Sequence, residues 1–163
     1  MNITPVPAVR VRTASADDIP ALVRVINAAF ASERYLEGTR TNEDYIRKTM
    51  RKGEFFLAEM ARGEVVACVY VEVRGERGYF GLLAVDPAQQ HRGLGRRMMQ
   101  IAEDCGRSHD CRFMDISVLS LRTHLPPYYR KLGYLETGTE EFHPLYPLKA
   151  GVECHLILMS KKL

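Results

Sequence analysis

The run Val65–Val73, rich in valine and apolar except for Glu72, limits the fold more than any other segment. Side chains alternate between the two faces of a strand. A strand that is apolar at odd and even positions alike must be covered on both faces. The segment therefore belongs inside a sheet, with other elements packed above and below it.

Its neighbours supply those partners. Val9–Thr13 and Glu54–Met60 read as strands before it, and Tyr79–Val85, Phe113–Val118, Tyr134–Thr139 and Val152–Ser160 as strands after it. Ile19, Leu22, Val23, Ile26 and Phe30 recur at helical spacing and predict a helix over Ala16–Phe30. Ser15 at its start, with Asp18 three residues on, is a weak capping box. Thr41–Arg51 reads as a second helix, ended by Gly53. Leu94, Met98, Ile101, Ala102 and Cys105 form one apolar stripe over Gly93–Gly106, and Pro127–Leu132 is a short helix with proline in its first turn. Ala31–Arg40 and Phe142–Gly151 read as loops. The order β-α-α-β-β-β-α-β-α-β-β predicts a mixed α/β (α+β) fold, with helices packed on a mixed sheet.

No composition shift or linker divides the 163 residues, so one domain over 1–163 is expected. With 46% hydrophobic and 26% charged residues the chain can bury a core, which excludes a disordered class. The formal charge of +3 is too small to argue for nucleic acid by itself. No run approaches the ~18 apolar residues of a membrane span. Met1–Arg12 lacks the apolar stretch of a secretory leader. Cys68, Cys105, Cys111 and Cys154 have no C-x-x-C spacing, and the histidines have no metal-ligand spacing. These features predict a cytoplasmic protein with no metal, no nucleic-acid partner and no membrane partner.

The most informative stretch lies between the strand ending at Val85 and the helix beginning near Leu94. Asp86-Pro87 stops the strand. A polar loop follows, and Gly93 and Gly95 flank Leu94 at the helix start. The first turn of a helix carries unpaired N–H groups and a partial positive charge, which together favour an anion. Two residues without Cβ let a phosphate approach the main chain. Arg92, Arg96 and Arg97 add positive charge at the end of the helix where arginine is least favoured, unless an anion compensates. The dinucleotide fingerprint G-x-G-x-x-G would need glycine at Met98, and the P-loop sequence is absent.

Gln90-His91-Arg92-Gly93-Leu94-Gly95 resembles the [QR]-x-x-G-x-[GA] signature of the GNAT superfamily of N-acetyltransferases. Leu83-Ala84-Val85-Asp86-Pro87 before it is similar to that family's strand-to-loop pattern. Pro127-Tyr128-Tyr129-Arg130-Lys131-Leu132-Gly133-Tyr134 resembles its F-Y-E-K-x-G-[FY] block. The resemblance implies a GNAT-like domain, with a mostly antiparallel sheet of six to seven strands and about four helices. It implies acetyl-CoA as cofactor, with the pyrophosphate on the main chain of Gln90, His91, Arg92, Gly93, Leu94, Gly95 and Arg96. It also implies that a splayed strand at Leu83, Ala84 and Val85 holds the pantetheine arm.

The resemblance further implies an acyltransferase moving acetyl to a primary amine of a small molecule, peptide or protein by direct attack. Tyr129 is then the candidate proton donor to the CoA sulfur. The family's frequent acid on the fourth strand falls at Gly81, which cannot act. Glu72, His155 or a chain of waters is left as the base. Arg122 stands where the family often has an asparagine touching the cofactor. Arg34, Tyr35, Glu37 and Arg40 lie in the loop that borders the acceptor in the family. A non-catalytic acyl-CoA sensor is the alternative that Gly81 and Arg122 leave open. The strands near the C-terminus are candidates for pairing in a homodimer.

Overall fold

The computed structural model describes residues 8–163. The elements, in chain order, are β1 (Arg10–Thr13), α1 (Ile19–Phe30), α2 (Glu43–Thr49), β2 (Glu54–Glu59), β3 (Val65–Arg74), β4 (Arg77–Val85), α3 (Leu94–Ser108), β5 (Phe113–Leu119), α4 (Leu125–Lys131), β6 (Leu135–Glu141) and β7 (His155–Lys162). The strands form one seven-stranded sheet in the order β1-β2-β3-β4-β5-β7-β6. All neighbours are antiparallel except β4 and β5. This is the mostly antiparallel sheet with four helices that the sequence resemblance implies. Among the described residues no helix is long and apolar enough to cross a membrane.

β3 is covered on both faces, as its composition requires. Cys68 and Tyr70 face α1 and α2, in a core with Leu22, Ile26, Ile46 and Phe55. Val69 and Val71 face α3, in a core with Met98, Ala102, Met114 and Tyr134. A buried network closes the second layer: the Tyr134 hydroxyl donates to Glu103 at 2.9 Å, and Lys161 Nζ donates to the same carboxylate at 2.9 Å. Glu103 is thus buried but paired, the condition under which a charge is tolerated inside a protein.

The boundaries move for local reasons. Residues 16–18 form a 3-10 turn, and the α-helix starts at Ile19. Asp18 accepts from the Ser15 amide at 2.8 Å and from Arg12 at 2.8 Å, which fixes the turn. The second helix starts at Glu43 rather than Thr41, because Asn42 is its cap and accepts from the Tyr45 amide at 2.9 Å. The last strand begins at His155, not Val152, since Val152 closes a turn on Lys149 after Gly151. It runs on to Lys162 beside β5.

Two features position the functional region. β4 and β5 pair only over Arg77–Tyr79 and Phe113–Asp115. Beyond Tyr79, β4 stays with β3 while β5 stays with β7 to Leu119, so the sheet opens into a wedge. At the mouth of the wedge the β3–β4 register slips between Cys68 and Tyr70. Leu82 there takes φ 48°, an uncommon conformation for a residue with a Cβ. This bulge turns the main chain of Leu83–Val85 relative to the strand below it.

Candidate active site

Three adjoining cavities run across the wedge. The first, about 500 Å³, is lined by Leu83, Val85, Gln90, His91, Gly93, Leu94, Gly95, Arg96, Arg122 and Tyr129, among others. The second, about 100 Å³, lies between the diverging strands and shares Leu83, Arg122 and Tyr129 with the first. The third, about 390 Å³, lies toward α2 and shares Arg40, Tyr79, Gly81 and Leu82 with the second. The wedge therefore joins two larger chambers through a narrow waist.

One wall of the first chamber is the loop from β4 into α3. Asp86 caps a short turn at Pro87–Gln89 by accepting from the Ala88 amide at 2.9 Å. Gln90 Nε2 donates to the Val85 carbonyl at 3.1 Å and ties the loop back to the strand. His91 and Gly93 both have positive φ, at 63° and 84°. Glycine accepts that conformation without strain. Gly93 then caps the 15-residue α3, whose first N–H groups have no acceptor within the helix. A Cβ built on Gly95 would meet only Val85 Cγ2, at 3.9 Å, so this side of the helix is open toward the chamber. Arg92 Nη1 donates to Gln89 at 3.2 Å, and Arg96 lines the chamber with the glycines. A dianionic diphosphate fits this wall: open main chain, a helix N-terminus and basic side chains. Arg24 holds the loop from behind, donating to the Val65 carbonyl at 2.8 Å and pairing with Asp86 at 3.7 Å.

Tyr129 stands between the first chamber and the waist. Its ring packs against Tyr128, Tyr134 and Phe80, with centroids 5.3, 5.7 and 6.5 Å away. Burial pushes its pKa up to about 12, so the phenol is a proton carrier at neutral pH. Arg122 also lines both cavities, but it is engaged. It pairs with Glu33 at 2.8 Å and lies over the Phe30 ring at 5.7 Å, anchoring the α1–α2 loop.

Glu72 lines the third cavity, not the waist. Its carboxylate accepts from Tyr70 at 2.8 Å and from Arg74 at 2.9 Å. Arg74 first, then Tyr70, holds it below the ordinary carboxylate range, against the opposing effect of burial. That favours a fixed negative charge and disfavours proton uptake. His155 is exposed at the start of β7, where its main chain pairs with Ser120, and it lines none of the three cavities. Among the described residues no Asp, Glu or His lines the waist.

At Gly81, a Cβ would come 2.6 Å from the Tyr79 hydroxyl. The Tyr79 ring crosses over this glycine and reaches Ser117 on β5 at 3.3 Å. Tyr79 was not among the residues expected at the site. The signal was present: residues two apart share a strand face, so a glycine beside a large aromatic marks room for that ring. Lys48, Lys52 and Arg74 in the third cavity were also missed, because they come from separate elements. The α1–α2 loop is pinned to the β6–β7 loop. Glu37 N–H donates to Pro147 at 2.8 Å, Lys149 N–H donates to Tyr35 at 2.9 Å, and Leu36 bridges to Leu148.

A family model described as an acetyltransferase (GNAT) domain matches residues 51–136, more than half of the chain. Solved structures agree on the fold. The ribosomal-protein-S18-alanine N-acetyltransferase from Escherichia coli superposes with a TM-score of 0.76 at 18% identity, covering 95% of this chain and 94% of that one. Nourseothricin acetyltransferase gives 0.71 at 19%, covering 95% and 98%. A protein from Salmonella typhimurium, solved with its cofactor acetyl-CoA, gives 0.70 at 20%, covering 96% and 94%. The wedge, the glycine-lined helix start and the matched domain together define an acyltransferase. The chain belongs to the GNAT acetyltransferase family.

Proposed function

We propose that this protein transfers the acetyl group of acetyl-CoA to a primary amine of a small molecule or peptide by direct attack in the waist between β4 and β5. The observation that carries this reading is the joining of two chambers through the wedge, one walled by open main chain and basic groups, the other by polar side chains. Acetyl-CoA supplies an activated acyl group and a thiolate leaving group. Gln90–Arg96 would hold its diphosphate through main-chain N–H groups, with Arg96 adding charge. The edge of β4 at Leu83, Ala84 and Val85 would align the pantetheine arm. Fixed positioning of this kind, rather than a protein nucleophile, is the main source of rate in such a transfer.

Tyr129, still protonated at neutral pH, would donate a proton where the thiolate departs. The acceptor enters as an ammonium and must lose a proton before its nitrogen can attack. With no acid or imidazole lining the waist, we assign that proton to water rather than to Glu72 or His155. Tyr79 and Ser117 line the waist and would order such a water. Glu72 would act as a fixed charge in the acceptor chamber. Four unpaired cysteines support a reducing, cytoplasmic setting. The exposed outer strand β6 is the surface on which a homodimer would pair.

A spectrophotometric assay of free thiol release with a panel of primary amines tests the reading. Amine-dependent release with acetylated product supports it. Tight acetyl-CoA binding with no product from any amine, even at pH 9, would favour a sensor.

A further inference from the structure

We infer that the acceptor is a small amine that also carries an anionic group, bound in the cavity between α2 and β3 by Arg40 with Lys48 and Lys52. The inference rests on the transfer reading above and names the substrate class for that site. The cavity of about 390 Å³ is lined by four cations, Arg40, Lys48, Lys52 and Arg74, and by one carboxylate, Glu72. Glu72 and Arg74 are already paired at 2.9 Å, and Arg74 lies 4.8 Å over the Tyr79 ring. Their charges offset one another. Arg40, Lys48 and Lys52 have no ion-pair partner among the described residues, so the cavity keeps an excess of positive charge.

Arg40 is the most telling of these. It lines both the cavity and the waist, so it stands where an acceptor must pass. Its guanidinium carbon lies 5.5 Å from the centroid of the Phe30 ring. Its Nε is buried with no hydrogen-bond partner. A buried donor left without an acceptor is costly, and a guanidinium edge fits two oxygens of a carboxylate or phosphonate. An anion beside Arg40, Lys48 and Lys52 would balance that excess charge. The ammonium end of the same molecule would point toward the waist. Amino acids and aminoalkylphosphonates share this chemistry.

The test measures kcat/KM, expressed per unprotonated amine, for matched acceptors: α-amino acids against their carboxamides, and aminoalkylphosphonates against the corresponding alkylamines. The inference predicts at least a tenfold preference for the anionic member of the pairs in one series. It also predicts that Arg40→Gln raises KM for that member about tenfold. The same variant should raise KM for the neutral partner much less and leave the calorimetric affinity for acetyl-CoA unchanged. Which series shows the preference identifies the anion. Equal use of charged and neutral partners, or an equal loss of both in Arg40→Gln, overturns the inference while leaving acetyl transfer intact. Turnover of no amine in either series, with acetyl-CoA bound, overturns the transfer reading and this inference together.

Discussion

Packing of the Tyr129 ring among Phe80, Tyr128 and Tyr134 keeps its hydroxyl protonated to about pH 12. Replacing it with phenylalanine keeps the ring contacts and removes only the hydroxyl. Tyr129→Phe is therefore expected to lower kcat by about 100-fold with little change in KM for acetyl-CoA, measured by steady-state kinetics. An equal loss in affinity would mark the residue as packing alone. Asp18 gives a residue-scale prediction about stability. Arg12 holds its pKa at about 2, against an ordinary 3.8. A lowered carboxylate stabilises the fold above the unfolded value, and that stabilisation is lost as pH falls from about 4 through 2. Urea midpoints should drop across that window, and the drop should flatten in Asp18→Asn. Identical slopes would contradict the assignment. At this scale the sequence was only partly legible. The glycine loop stood out by spacing, and Tyr129 through the family resemblance. Arg122 stands where the resemblance has an asparagine, and its engagement with Glu33 depends on a contact across 89 positions of the chain that no local pattern encodes.

The elements themselves were more readable, since each carries its own period. β3 and α3 announce themselves by runs that only a two-sided strand and an amphipathic helix can satisfy. The ends were less so: His155 and Glu43 begin their elements where a turn and a cap decide, not where the apolar pattern starts. The wedge was legible only through resemblance. Nothing in Tyr79–Val85 reveals that its partner leaves after Tyr79, because pairing is a property of two segments. One element-scale prediction concerns the loop into α3. Gly93 sits at φ 84°, so Gly93→Ala should cost about 1 kcal/mol of folding stability. Gly93→Asp should in addition weaken acetyl-CoA binding by at least tenfold, since it sets a negative charge where a diphosphate is to lie. Calorimetry showing equal affinity in the two variants would count against the loop as the phosphate site.

For the molecule as a whole, the sheet acts as a divider that opens at one place only among the described strand pairs, between β4 and β5. Helix α2 lines the acceptor-side chamber, and α3, α4 and the end of α1 line the other. Because among the described residues no acid or imidazole lines the waist, the pH dependence should belong to the acceptor. With saturating acetyl-CoA, log kcat/KM should rise with unit slope until the acceptor amine itself titrates, near 10 for a lysine-like amine. A plateau beginning near pH 7 would require an enzyme base instead. The account as a whole depends on one physical claim, that the start of α3 grips a diphosphate and directs its thioester into the wedge. A crystal structure with bound CoA tests this most directly. The account predicts diphosphate density on the main-chain N–H groups of Gly93–Arg96, with the sulfur beside the Tyr129 hydroxyl. Density for CoA elsewhere on the molecule, with that helix end free of phosphate, would contradict it.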